Sequence, residues 1–189
     1  MINMVISHEL KFVFLGIPRT ANRAMHYALL KLPGAFRGGY LHEMGIPEEC
    51  KEYFTFCCVR NPYRRFLAYY RWRAQDHPWG GDAVGMTFED YILAMEDGKL
   101  GPTTVRGHTE NNRLDKVIRF EELPDSFSEL RLGNSSSLLE LKKHGQKLSR
   151  HWHMFYNVSL ADRVFELCRS DFEEFGYDRD SWRDPHSVI

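Results

Sequence analysis

Residues 11–25 read KFVFLGIPRTANRAM, an almost unbroken apolar run that ends abruptly in a polar, basic turn followed by a helix-compatible segment. This order predicts a buried parallel strand, a tight loop and the first turn of a helix. Such a junction binds anions, because the first N–H groups of a helix have no partner within it and the helix dipole is positive there. Arg19 and Arg23 add positive charge at the same place. We therefore expect a phosphate or sulfate group to bind at this turn.

The loop departs from the phosphate loop of nucleotide hydrolases. Against the pattern G-x-x-x-x-G-K-[ST], Gly16 matches, but Ala21, Asn22 and Arg23 occupy the glycine, lysine and hydroxyl positions. The missing lysine removes the usual partner of a terminal phosphate, and the missing hydroxyl removes the usual Mg²⁺ ligand. Hydrolysis of ATP or GTP is therefore disfavoured. Taken alone, the segment also fits a buried strand that runs into an ordinary turn.

A second segment has the same order of elements. Residues 53–59, YFTFCCV, form another aromatic and β-branched run, and Arg60 follows at once. Asn61 is a good N-cap and Pro62 a good first helical residue, so a helix is expected directly after Arg60. Arg60 would then lie at the carboxyl end of a parallel strand, where open α/β sheets bind ligands. Two anion-binding strand ends indicate one ligand with two separated phosphates.

Four segments resemble the sulfotransferases that use 3′-phosphoadenosine-5′-phosphosulfate (PAPS). Residues 17–22, IPRTAN, resemble the 5′-phosphosulfate loop of that family, and residues 54–70 resemble its 3′-phosphate element. Residues 117–123, VIRFEEL, and 171–177, DFEEFGY, are similar to two later segments of the family. The four come in the family's order and span most of the chain. The carbohydrate, or Golgi-type, branch is the closest in pattern.

The resemblance implies a fold and an activity. The fold is α/β, a three-layer α/β/α arrangement around a central parallel sheet with a phosphate-loop-like architecture, here as a single domain over residues 1–189. The activity is in-line transfer of a sulfuryl group from PAPS, with adenosine 3′,5′-bisphosphate (PAP) as product and no metal, to a hydroxyl or amine of a small molecule or glycan. Two alternatives stay open: a nucleotide-binding module without catalysis, and a small-molecule kinase on the same scaffold.

The resemblance also implies site residues. Arg19 would stabilise charge on the leaving oxygen, and His42 would be the general base, with Glu43 as the alternative base. His108 would either line the acceptor side or brace its loop. The residues expected to bind the donor are Pro18, Arg19, Thr20, Ala21, Asn22, Arg23, Ala24, Arg60, Ala68, Lys147 and Arg150.

The chain differs from the family pattern at several of these positions. Arg19 replaces a lysine, which keeps the charge but changes the donor geometry. Ala21 replaces a glycine, and the Asn22-Arg23 pair replaces two hydroxyl residues. Ala68 replaces the serine that contacts the 3′-phosphate, so Arg64, Arg65 or a loop residue would have to compensate. These changes affect cofactor affinity more than the fold.

Composition narrows the functional class and the partners. A hydrophobic content of 43% and an aromatic content of 14% exclude disorder, and a formal charge of −1 argues against a general nucleic-acid binder. The four cysteines lack disulfide or metal-ligand spacing, so free thiols in a reducing compartment are expected. Residues 1–10 do not read as a signal peptide, and no apolar run approaches membrane length. A cytoplasmic protein without a membrane partner is the expectation, with the oligomeric state left open.

The remaining periodicity predicts alternating strands and helices joined as parallel βαβ units. Thr87 with Asp90 forms a capping box, and Ser159 with Asp162 is expected to cap the last helix, which Gly176 ends. The predicted strands are 11–17, 53–59 and 116–120, with an extended piece at 39–42, and the predicted helices are 22–32, 62–74, 88–96 and one following Ser159.

Overall fold

The structure is a computed structural model that describes residues 3–40, 45–75, 81–100, 104–105, 109, 112–123, 125–132 and 151–184. The chain groups into two compact units, Met1–Arg60 with His108–Leu148, and Asn61–Gly107 with Ser149–Ile189. It passes between the units three times, so neither unit is a continuous segment. The single-domain organisation over residues 1–189 stays a prediction.

Among the described residues, the first unit forms a five-stranded mixed sheet. Its strands are β1 (Asn3–Ser7), β2 (Phe12–Gly16), β3 (Ala35–Tyr40), β4 (Phe54–Val59) and β5 (Lys116–Arg119). Their order in the sheet is β3–β1–β2–β4–β5. Strands β2, β4 and β5 run parallel, as predicted, whereas β1 is antiparallel to both β2 and β3. The α/β class and the parallel centre of the sheet are confirmed, but the antiparallel strands at one side were not expected.

The core of the first unit lies on one face of this sheet. Alternation along paired strands puts Phe14 beside Phe56, and Cys58 beside Ile118, on the same face. Helix α1 (Asn22–Leu29) packs there through buried residues such as Met25 and Leu29. The opposite face is also fully buried, with no exposed surface at Val13, Leu15, Cys57 and Val59. The sequence prediction of strands buried on both sides is therefore confirmed.

Among the described residues, most of the helices belong to the second unit. Asn61 accepts hydrogen bonds from the amides of Tyr63 and Arg64, with Pro62 as the first helical residue, as predicted. The capping box of Thr87 and Asp90 is also present. The helices of this unit are α2 (Pro62–Arg73), α3 (Phe88–Glu96), α5 (Val158–Leu167) and α6 (Arg169–Phe175), while the short α4 (Asp125–Ser128) belongs to the first unit.

The start of the last helical region differs from the expectation. Asn157, rather than Ser159, caps α5, because its side chain accepts a hydrogen bond from the amide of Leu160. The region is also divided into two helices at Cys168, and Gly176 ends the second one in a left-handed conformation, as predicted. An asparagine two residues earlier competes with the serine as a cap, and N-cap preference alone does not separate them.

A buried polar network holds the second unit together. Arg65 and Asp171 form an ion pair of 3.3 Å with both side chains 2% exposed. Both carboxylate oxygens of Asp171 also lie 2.8 Å from the amide nitrogen of Val105. Tyr63 donates from its hydroxyl to the carbonyl of Arg179 at 2.7 Å. The segment after Arg60 and the segment DFEEFGY at 171–177 are thus joined by charge and hydrogen bonds.

Two further predictions concern the cysteines and the membrane. All four cysteines are free and buried, which confirms that they form no disulfide framework. Of the helices in the part of the chain that the structure describes, none is both long enough and apolar enough to span a bilayer.

Candidate anion-binding site

The turn after β2 has an unusual backbone. Arg19 and Ala21 both adopt positive φ angles, +68° and +67°, a left-handed region that residues other than glycine rarely enter. Between them, Thr20 is fully buried, and its hydroxyl donates to the carbonyl of Ile17 at 2.8 Å. That bond closes the turn from inside. Alternating left-handed residues form the backbone concavity that binds anions in phosphate loops.

The amides that follow are available to an anion. Helix α1 starts at Asn22, and its N-cap, Ala21, has no side-chain oxygen that could cap the first turn. Among the described residues, the N–H groups of Thr20 to Ala24 donate to no acceptor, and the first hydrogen bond of the helix runs from Met25 to Ala21. The first turn contains no acidic residue. Unpaired amides and the positive end of the helix dipole together favour a bound anion.

The side chain of Asn22 supports the same conclusion. Its Oδ1 atom is buried and, within the described part of the chain, has no hydrogen-bond partner. A buried amide group without a partner is costly, and rotation of the group by about 180° would place its NH₂ there as a donor. This is where the family pattern has a hydroxyl, so Asn22 can supply the missing donor to a phosphate oxygen.

Arg60 connects the second strand end to this turn. It follows β4 directly and is only 4% exposed. Its Nη1 donates to the carbonyl oxygen of Arg19 at 3.3 Å, and its guanidinium lies 4.4 Å from the centre of the Phe120 ring. The two strand ends that the sequence singled out therefore meet at one edge of the sheet.

The thiol nearest to Arg60 along the chain is not a nucleophile. Burial raises the pKa of Cys58 well above the usual value for a thiol, the neighbouring Cys57 adds to that rise, and Arg60 opposes it only in part. Cys58 therefore stays protonated at neutral pH, and a protonated, buried thiol is unreactive. The site thus has the features of an anion-binding turn rather than of a covalent catalyst.

Ala68 lies inside α2, where the family serine would be, and is 8% exposed. Of the residues considered as replacements, Arg65 is committed to its buried ion pair with Asp171. Arg64 is half-buried and lies one turn before Ala68, with its guanidinium 5.7 Å from the Trp152 ring centre. Arg64 or a loop residue therefore remains the expected replacement.

Several sequence-predicted residues lie outside the described part of the chain: His42, Glu43, His108, Lys147 and Arg150. One residue that the sequence reasoning did not assign is Phe120, which lies against Arg60. Phe120 belongs to the VIRFEEL segment and directly follows β5. An aromatic residue at the end of a strand is usually interpreted as part of the hydrophobic core. Its contact with an arginine sixty positions earlier was therefore not predictable from the sequence.

Comparison with known proteins agrees with this geometry. A model described as the sulfotransferase family matches residues 3–157, which is most of the chain. No curated protein and no solved structure matches the chain. The matched region includes the anion-binding turn and Arg60.

Proposed function

The chain belongs to the sulfotransferase family, and we propose that it transfers the sulfuryl group of PAPS to a hydroxyl or amine of a small-molecule or glycan acceptor. The single observation that carries the choice of donor is the bond of 3.3 Å between the Arg60 guanidinium and the carbonyl of Arg19. It brings two cationic strand ends together, as a donor with separate 5′ and 3′ phosphates requires.

The 5′ end of the donor would bind at the turn. The free amides of Thr20 to Ala24 supply directed N–H donors, and the side-chain amide of Asn22 supplies another. Arg19 and Arg23 add charge, with Arg19 half-buried and Arg23 exposed. Backbone amides and arginines are the groups that bind phosphate most strongly in proteins. These amides and arginines would bind the phosphate without the lysine that the phosphate loops of nucleotide hydrolases use.

The 3′ end would bind at Arg60. Because Arg60 is buried, its charge is poorly screened by solvent and attracts an anion more strongly than a surface arginine does. Two residues outside the described part of the chain, Lys147 and Arg150, are the proposed further contacts of the 3′-phosphate. Because Ala68 replaces the family serine, the contact of that serine with the 3′-phosphate is absent.

The chemistry would be in-line displacement. The bound donor supplies the sulfuryl group and a phosphate leaving group. Arg19 and the amides at the start of α1 would stabilise the negative charge that develops on the leaving oxygen. His42 would take the proton of the acceptor, since an imidazole titrates near neutral pH, and Glu43 is the alternative base.

Calorimetry tests the choice of donor. We expect PAP to bind without metal ions and in preference to ATP with Mg²⁺. Replacing Arg19 by Met should weaken PAP binding by roughly 10- to 100-fold, the effect of losing a charge-assisted hydrogen bond. Arg19→Lys, which restores the family residue, should retain most of the affinity. Arg37→Met, a change at an exposed arginine of β3, is the control and should leave binding unchanged.

The outcomes separate the alternatives. Selective binding of ATP with Mg²⁺ would refute the proposal and favour a kinase. PAP binding without transfer of labelled sulfate from PAPS to any of a panel of alcohols, amines and glycans would favour the non-catalytic module. If transfer is found, His42→Ala should abolish it while PAP affinity is kept, and unchanged turnover would remove His42 from the mechanism.

A further inference from the structure

We propose that Phe120 is a positioning residue, whose ring holds the Arg60 guanidinium so that Arg60 fixes the backbone of Arg19 in the anion-binding conformation. Two contacts link these residues within the first unit, and Arg60 is buried between them. The Arg60 guanidinium carbon lies 4.4 Å from the Phe120 ring centre, Arg60 is 4% exposed, and its Nη1 donates to the Arg19 carbonyl at 3.3 Å.

The backbone of Arg19 needs such support. Its φ of +68° is unfavourable for any residue with a Cβ, and Ala21 two residues later has the same problem. Residues in this conformation persist only where surrounding contacts determine them. The carbonyl of Arg19 receives a hydrogen bond from a charged donor, which is stronger than one from a neutral group. Arg60 therefore stabilises the turn before any ligand binds.

Arg60 in turn needs a fixed orientation. An arginine side chain has many rotamers, and ordering it costs conformational entropy. Phe120 follows β5 directly, and the last residue of β5, Arg119, pairs with Val59, the residue before Arg60. The register thus brings the ring beside the guanidinium. Phe120 is half-buried and packs against the core of the first unit, so its own position is set by the core.

The ring contributes more than apolar surface. A guanidinium within about 6 Å of an aromatic ring centre is attracted by the negative face of the ring, and the attraction grows as water is excluded. Leucine or methionine at position 120 would keep the apolar packing but not this attraction. Tyrosine would keep both. The ring, rather than the bulk, is therefore the property to test.

The variants are Phe120→Leu, Phe120→Tyr and the control Phe127→Leu. Phe127 is 8% exposed in the core of the same unit and packs in the same hydrophobic cluster. Phe120→Met is a second variant without a ring, for use if Phe120→Leu fails to fold. NMR relaxation dispersion of the amides of Thr20 to Ala24, in the protein without ligand, reports whether the turn keeps one conformation. Calorimetry with PAP reports the effect on binding.

We expect Phe120→Leu to add millisecond exchange at these amides and to weaken PAP binding roughly 5- to 30-fold, the range of a partly buried cation–π contact. Phe120→Tyr should behave as the wild type, and Phe127→Leu should leave the turn unchanged. Wild-type dispersion and affinity in Phe120→Leu, or in Phe120→Met where Phe120→Leu does not fold, would overturn the proposal, and so would a tyrosine variant as impaired as the ring-free one.

The binding readout rests on the proposed function, whereas the dispersion readout does not. If the wild type does not bind PAP, the proposed function fails, and exchange at Thr20 to Ala24 in Phe120→Leu alone would still support the positioning role. If the wild type binds PAP and the turn is unaffected by loss of the ring, the positioning role fails and the proposed function stands.

Discussion

Removing the Asp171 carboxylate should destabilise the protein strongly. Asp171→Ala leaves Arg65, whose side chain is 2% exposed, without its ion-pair partner at 3.3 Å. It also removes both carboxylate oxygens that lie 2.8 Å from the amide nitrogen of Val105. Because breaking a buried ion pair typically costs about 3–5 kcal/mol, we expect a loss of that size in the free energy of unfolding.

Further variants separate the contribution of the ion pair to this loss of stability from that of the hydrogen bond to Val105. Asp171→Asn keeps an acceptor for the Val105 amide and the same shape, so the expected loss falls to about 1.5–3 kcal/mol, the contribution of hydrogen bonds to a charged group. Arg65→Met combined with Asp171→Leu removes both charges and replaces them with apolar volume. Such exchanges are often close to neutral, so the double variant should lose less stability than Arg65→Met and Asp171→Leu, each measured singly, lose together.

Urea unfolding followed by tryptophan fluorescence is the assay. The four tryptophans of the chain all fall in the sequence ranges of the second unit, so the signal reports on the unit that contains the pair. With a urea slope of about 3 kcal/mol per M, the midpoint for Asp171→Ala should fall by about 1–1.7 M. The control is Asp162→Ala, which breaks an ion pair with Arg179 whose side chains are 55% and 52% exposed. That change should cost at most about 1 kcal/mol.

Two results would refute the reasoning. One is an Asp171→Ala midpoint equal to that of the Asp162→Ala control. The other is a double variant whose loss equals the sum of the single losses, since that would mean that Arg65 and Asp171 do not stabilise each other.

Three other predictions concern the first unit. Thr20→Val should lower stability by about 1–2 kcal/mol and weaken PAP binding, because the buried bond to Ile17 that closes the turn is lost; wild-type values by urea unfolding and calorimetry would contradict this. Asn22→Ser should bind PAP at least as tightly as the wild type, while Asn22→Leu should bind roughly tenfold more weakly, and equal affinities in calorimetry would exclude a contact. The pKa of Asp115 is lowered below 3.8, mainly because its carboxylate accepts a hydrogen bond from the backbone N–H of Thr55, and Arg113 adds to this effect. The stability that this carboxylate gives relative to Asp115→Asn is therefore complete above pH 3.8 and is lost as the pH falls through the lower pKa of the folded state. A difference in urea unfolding between the two proteins that stays constant over this pH range would contradict this prediction.

The parallel part of the fold was predictable because its signals are local. An apolar run that stops at a basic turn marks β2, and Asn61 followed by Pro62 marks the start of α2. The antiparallel hairpin of β1 and β2 was missed for a physical reason. Its turn, residues 8–11, contains no glycine, asparagine or proline, and Lys11 takes a φ of +53° that sequence rules assign to glycine.

The site was predictable in its position but not in its contacts. The turn at Arg19 and the strand end at Arg60 were both visible, since each is a charged residue directly after a buried strand. The bond between Arg60 and the Arg19 carbonyl, and the pairing of Arg65 with Asp171, join residues 41 and 106 positions apart. Periodicity and capping describe neighbours along one element, so they carry no information on such pairs. Only the tertiary structure shows that Arg65 is committed to the interior.

A PAP titration of ¹⁵N-labelled protein, followed by amide chemical shifts and with adenosine as the control, tests the central claim most directly. The account predicts saturable shifts at the amides of Thr20 to Ala24 and at the Arg60 side chain, without Mg²⁺ and only with PAP. Saturable PAP binding that leaves all of these signals unmoved would contradict it.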